Sequence, residues 1–167
     1  MWERKKKEQE PGAAADAMWF ADGFPMEVIG RKEFVNFPEW HVKDVPAKID
    51  TGARSCALDA LHYEIREVQG TLIAEIRVDR KRKRAATIYA PLVGMVTVMN
   101  PNGASERRPV VETVIELGRT QRRVRLSLTN RSGMRFPLIL GRAALAGVFM
   151  VDVSRAYLLG RGSKSRH

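Results

Sequence analysis

From Met26 onward the chain is written in short apolar runs, rich in Val and Ile and bounded by Gly, Pro and Asn. Several alternate, as in Val124, Leu126 and Leu128 against Arg123, Arg125 and Ser127. That period of two turns one face of an extended strand toward a core and the other toward water. Strands are expected at 27–31, 45–50, 71–78, 87–90, 93–99, 110–117, 124–129, 137–140, 149–153 and 156–159. Hairpin turns are expected at Asn102-Gly103 and at Gly118-Arg119-Thr120. Only 142–145 and 55–61 read as short helical turns. About ten short strands with little helix imply an all-β closed barrel or sandwich.

Residues 1–25 are charged and then Ala/Gly/Asp-rich, with no sustained period, and are expected to form a mobile N-terminal arm. The folded domain is expected at 26–160, followed by a basic tail at 161–167. The arm lacks the apolar run of a secretion signal, and nowhere does the chain carry the ~18 apolar residues of a membrane helix. With a single cysteine, Cys56, this points to the cytoplasm and to no membrane partner.

Charge adds a second layer. The chain has 29 Lys and Arg against 19 Asp and Glu, a net charge of +10, clustered at Arg80–Arg84 and at Arg119, Arg122, Arg123 and Arg125. Such a surface attracts anions, a ribosome or other RNA included. The other reading is of solvated hairpin tips and edge strands kept apart from neighbours by charge.

The candidate chemistry begins at Asp50, where the run Val45, Ala47, Ile49 gives way to Thr51-Gly52-Ala53. A glycine there lets the backbone turn so that its N–H points back at the carboxylate. The Thr51 hydroxyl can lock the loop. Late in the chain the apolar Leu138-Ile139-Leu140 ends in Gly141-Arg142 and leads into a short helix.

Asp50-Thr51-Gly52-Ala53 early and Ile139-Leu140-Gly141-Arg142 late, in an all-β chain, resemble the retropepsin family of aspartic peptidases. The ordered set is sharper still. Ala47-Lys48-Ile49-Asp50-Thr51-Gly52-Ala53-Arg54, Arg108-Pro109-Val110-Val111, Ser127-Leu128-Thr129-Asn130-Arg131 and Leu140-Gly141-Arg142 resemble a bacterial retropepsin-like family often labelled "ATP-dependent zinc protease". The resemblance implies a retropepsin-like closed barrel. It assigns catalysis to Asp50, Thr51 and Gly52, and substrate binding to Ala53, Arg54 and a flap whose tip carries Asn102 and Gly103. It also assigns support of the site to Leu140, Gly141 and Arg142. Retroviral members carry acidic residues where this chain has Arg54-Ser55, so Arg142 is expected to find another partner, Asp59, and Arg54 suits an acidic substrate.

No phosphate-cradling Gly-rich loop and no His-Glu-x-x-His occur, and His41, His62, His167 and Cys56 have no metal-ligand spacing. Neither ATP, zinc nor another cofactor is expected. Cys56 reads as a buried small hydrophobe. Aspartic hydrolysis needs two carboxylates sharing a proton, and no other Asp precedes Thr-Gly or Ser-Gly. The expectation is therefore a homodimeric aspartic endopeptidase, with one Asp50 per chain, acting on a peptide or protein. Relatives near ligases that add glutamate tails to a ribosomal protein imply either trimming of such tails or a non-catalytic adaptor role. A direct RNA binder is the third reading.

Overall fold

The computed structural model describes residues 19–21, 24–60, 62–78, 86–99, 102–131 and 133–161. The basic run Arg80–Arg84, most of the arm and nearly all of the tail lie outside these residues. The elements are β1 (Trp19–Ala21), β2 (Phe24–Gly30), β3 (Lys32–Phe37), a 3-10 turn (Pro38–Trp40), β4 (Val42–Ile49), β5 (Cys56–Asp59), β6 (His62–Val68), β7 (Thr71–Val78), β8 (Ala86–Met99), β9 (Ser105–Leu117), β10 (Thr120–Thr129), β11 (Leu138–Leu140), α1 (Arg142–Leu145) and β12 (Phe149–Asp152).

Six strands close a barrel in the order β10-β5-β11-β4-β3-β9, sealed where β9 pairs back with β10. Alternation decides what fills it. Val111, Thr113, Ile115 and Leu117 of β9 are buried, as are Val124, Leu126 and Leu128 of β10; the β9 neighbours and Arg125 are more exposed, while Ser127 and Thr129 at the end of β10 are buried as well. Cross-strand register then stacks inward residues into rows. One row runs Leu128, Leu58, Leu138, Ala47 and Glu33 around the wall. The long β8 carries β7 and β6 away from the barrel, and Tyr63, Ile65, Leu72, Tyr89 and Met99 on that extension stay exposed. The expected strands at 87–90 and 93–99 are thus one, and 110–117 is part of a longer strand. A small sheet, β1-β2-β12, lies outside the barrel; its β1 falls within the stretch read as an arm.

Two expectations need correction. Residues 55–61 do not form a helical turn. Cys56 and Leu58 point inward, and β5 pairs with both β10 and β11, so the barrel closes through this segment. Residues 156–159 are not a strand, because the backbone there turns toward Glu33. Conversely, β3 and β6 went unread. Glu33 and Asn36 interrupt the apolar pattern of β3, and β6 is exposed along its whole length, leaving no buried face to mark it. The 142–145 helix and both hairpin turns stand where expected.

Glu33 is the one fully buried charged side chain among the described residues. Its carboxylate accepts backbone N–H groups from Gly30 at 2.7 Å, Leu158 at 3.0 Å and Leu159 at 3.3 Å. These bonds compensate the lost hydration and fasten the C-terminal segment to the barrel. A second carboxylate, Glu39, bridges the closing strands through Thr113, Val114 and Arg123. Burial pushes its pKa up, but the bonds from Arg123, Thr113 and Val114 outweigh this and hold it below the usual value.

Glu33→Ala leaves the three N–H groups without their acceptor. It is expected to cost about 3 kcal/mol, since each orphaned buried donor costs about 1–3 kcal/mol and water recovers part. A denaturant titration measures this as a lower midpoint at unchanged slope. An unshifted midpoint contradicts the role given to Glu33.

Candidate functional site

The parallel strands β4 and β11 end side by side, with Leu140 opposite Ile49. The Asp50 N–H donates to Leu140 O at 2.9 Å, and the chain then turns sharply, with the Ala53 N–H returning to Asp50 O at 3.2 Å. Within this turn Asp50 Oδ1 accepts the N–H groups of Gly52 and Ala53, both at 3.2 Å. The Gly52 N–H therefore points back at the carboxylate as expected. Asp50 Oδ2 lies 3.4 Å from Lys48 Nζ, and the Asp50 side chain remains 26% exposed. These bonds to one oxygen orient the carboxylate and leave the other side open to solvent and Lys48.

Beneath the loop lies the start of α1. Arg142 N donates to Ala53 O at 2.9 Å and Ala143 N to Arg54 O at 3.0 Å. The Arg142 guanidinium reaches across to the carbonyls of Thr51 (3.1 Å) and Gly52 (2.9 Å). Gly141 makes the close approach possible. A Cβ there would fall against the Ser55 carbonyl and 2.9 Å from Ala53 O. Gly52 differs: a Cβ on it would meet only Asp50 Oδ1, at an ordinary 3.4 Å. Among the described residues, Gly52's own chain neighbours apart, no other atom lies within 4 Å of that point.

Asp50, Thr51, Gly52, Ala53 and Arg54 thus form one loop, with Leu140, Gly141 and Arg142 packed directly under it. Thr51, Gly52 and Arg54 are exposed, and locking of the loop falls to Arg142. Asn102 and Gly103 sit apart, at the tip of the β8–β9 hairpin, where Asn102 Oδ1 accepts the Ala104 N–H and Gly103 takes φ +84°. The expected pairing of Arg142 with Asp59 does not occur. Because β5 runs antiparallel to β11, Asp59 lies at the Pro137 end, where its N–H donates to Pro137 O and its Oδ1 accepts the Arg131 N–H at 2.6 Å.

Three cations carried by the motif segments lie near Asp50 or near a neighbour of it. Lys48 stands two residues before Asp50, hence on the same strand face. Arg131 lies in the field of Asp59, Arg108 and Asp50; burial lowers its pKa, opposed by the two carboxylates. Arg108 Nη2 is held by Glu106 at 2.7 Å, while its buried Nε has no partner among the described residues. In the sequence Lys48 stands at spacing two from Asp50, and Arg108 and Arg131 stand in the motif segments with nothing local that relates them to Asp50.

Among the described residues no three His, Cys, Asp or Glu side chains come together to hold a metal. Cys56 is 1% exposed, and burial raises its pKa against weaker opposing bonds from the Gly141 and Ala144 backbone. It is a protonated core thiol, unsuited to a zinc ligand or nucleophile. No helix of the described residues is long and apolar enough to cross a membrane.

Residues 28–161 match the family described as RimB-like, retropepsin-like aspartic endopeptidase RimB. A Shewanella pealeana protein named "Probable alpha-L-glutamate ligase" is 32% identical over 136 residues, 80% of this chain and 30% of that protein. A Desulfotalea psychrophila protein of the same name is 27% identical over 83% of this chain and 30% of its own length. The chain therefore spans about three tenths of these curated relatives. A solved structure from Legionella pneumophila, a protein of unknown function, superposes with TM-score 0.68 at 28% identity, covering 79% of this chain and 97% of that one.

Arg142→Met removes the brace on the Thr51 and Gly52 carbonyls. The expected loss is about 1 kcal/mol, because the guanidinium is partly solvated and a net hydrogen bond is worth about that much. Amide exchange should accelerate at 51–54 and stay slow in β9 and β10. Equal exchange at 51–54 in variant and wild type contradicts the bracing role.

Proposed function

We propose that this chain, which belongs to the RimB-like family of retropepsin-like aspartic endopeptidases, hydrolyses peptide bonds as a homodimer, with Asp50 of each protomer at one shared site. The observation that carries the reading is the Asp50 loop. A carboxylate at a strand end is oriented by the Gly52 and Ala53 N–H groups and braced from below, yet partly exposed. Thr51 and Gly52 are exposed beside it, and the room above Gly52 suits the approach of a second loop. A two-fold dimer brings two copies of one patch together.

Two carboxylates that close share a proton. The ionised one takes a proton from water as the water oxygen bonds to the scissile carbonyl carbon. The protonated one gives its proton to the carbonyl oxygen. The tetrahedral adduct then collapses: the C–N bond breaks, the amine leaves with the proton taken from water, and one adduct hydroxyl returns its proton to the second carboxylate, which restores the shared-proton pair and releases a carboxylic acid. In this reading Thr51 of each loop braces the opposite loop. Ala53 and Arg54 line the approach, and the β8–β9 hairpin bearing Asn102 and Gly103 covers the substrate as a flap.

The proposed substrates are acidic, glutamate-tailed proteins, met in the cytoplasm. Lys48, Arg54, Arg131 and Arg108 at or near the loop support this. So does the name of the relatives, since a hydrolase beside a glutamate ligase reverses the bond that the ligase makes. The short share of those relatives that the chain spans favours a second reading, an adaptor domain that positions a ligase or its ribosomal substrate without cleaving it. The basic surface would serve either through anionic contacts, RNA included.

Asp50→Asn preserves volume and should leave the protein folded. Hydrolysis of glutamate-tailed peptides should fall by at least 10²–10⁴-fold, the loss of acid–base action at both half-sites. The wild-type rate should be bell-shaped in pH, falling on the acid side as the second carboxylate protonates and on the alkaline side as the shared proton leaves. Full activity of Asp50→Asn points to the adaptor reading instead. In sedimentation the chain should run as a dimer at micromolar concentration; a monomer that stays so with peptide bound excludes the paired site.

A further inference from the structure

Lys32 and Lys48 stand directly opposite each other on β3 and β4. The Ile49 N–H donates to Arg31 O at 3.1 Å, so the lysine pair one step inward is a non-hydrogen-bonded pair, the register with the closer side chains. Both point to the outer face of the wall, away from buried Glu33 and Ala47. Like charges facing each other this way destabilise a strand pair. Among the described residues, what offsets them is incomplete. Lys32 Nζ lies 5.4 Å above the Phe136 ring, and Lys48 shares one carboxylate oxygen of Asp50 at 3.4 Å. On the far side of Lys48 the neighbour in register is Ile139, which supplies no charge. Two cations thus face one carboxylate, and that carboxylate is the group proposed to act on water.

We infer that Lys32 and Lys48 form a subsite for one carboxylate side chain of the substrate beside the scissile bond, with Lys48 exchanging Asp50 for that carboxylate when substrate enters. The inference rests on the peptidase reading of the Asp50 loop. The row Lys32–Lys48 runs along the wall right beside Asp50, so an extended peptide crossing Asp50 passes over it. A glutamate side chain there completes the charge balance that the described residues leave unfinished. A glutamine side chain does not, and leaves Lys48 on Asp50. Lys32 and Lys48 are specificity-determining residues in this account, and acidic substrate also frees Asp50 Oδ2.

The test is binding of a fluorescent five-residue glutamate peptide and its glutamine analogue to the full chain, followed by anisotropy, for wild type, Lys48→Met, Lys32→Met and Lys48→Arg. The glutamate-over-glutamine affinity ratio should fall about ten-fold in each Met variant, the size of one charge-assisted hydrogen bond, and recover in Lys48→Arg. Arg125→Met removes the same charge at an exposed site on β10, where Arg125 pairs with Glu112, and should leave the ratio unchanged. Unchanged ratios in Lys48→Met and Lys32→Met overturn the subsite. So does an equal fall in Arg125→Met, which would mean that only net charge is read. Cleavage by Asp50→Asn decides the peptidase reading separately, because the affinity ratio does not depend on turnover.

Discussion

Everything proposed here depends on one interlock, the seating of the Asp50 loop on the Gly141–Arg142 turn. Two parallel strands, β4 and β11, end at the same level, and the chain leaves both through tight turns that bond each other's backbone. The Leu140, Ala53 and Arg54 carbonyls, which would otherwise lose partners at the strand ends, are all taken up in this contact. Gly141 sets how close the two turns come, and Arg142 closes the far side. A carboxylate held by such a frame loses little freedom when a substrate arrives, which is the structural meaning of preorganisation.

The barrel around this interlock explains why so small a chain can hold it. Rows of inward Leu and Val pass through the same strands that present the loop, so the site is fixed by the core rather than by a lid. Carboxylates do the remaining fastening. Glu33 ties the C-terminal segment down, Glu39 ties the 3-10 turn to β9 and β10, and Glu27 receives the Arg119 N–H and the Thr120 hydroxyl. In a strongly basic chain these acids are spent on structure, which leaves the outer face near Asp50 positive.

Much of this was legible from residue order, and the failures have physical causes. The turn at Asp50-Thr51-Gly52 was readable because it is local, whereas the place of Leu140-Gly141-Arg142 under it came only from the family resemblance, since the need for no Cβ at Gly141 shows only in three dimensions. The partner of Arg142 was not readable, since it depends on the direction of β5, which no local pattern encodes. Residues 55–61 misled because Ala57, Ala60 and Leu61 fall at helical spacing, while the alternation of Cys56 and Leu58 spans a strand of only four residues. Lys32–Phe37 was hidden by Glu33, a charge in a core position that makes sense only once the Leu158 and Leu159 N–H groups are seen beside it. Arg131 lies far from Asp50 and Arg108 in sequence and comes into their field only through the barrel.

The central claim is that one working site takes Asp50 from two chains. Mixing wild type with Asp50→Asn protein, after exchange of subunits, tests it directly at constant total concentration. If both carboxylates are needed, activity follows the square of the wild-type fraction, about one quarter of the starting rate in an equal mixture. Activity that falls in simple proportion, to about one half, would show that each chain carries a complete site and would contradict the shared pair.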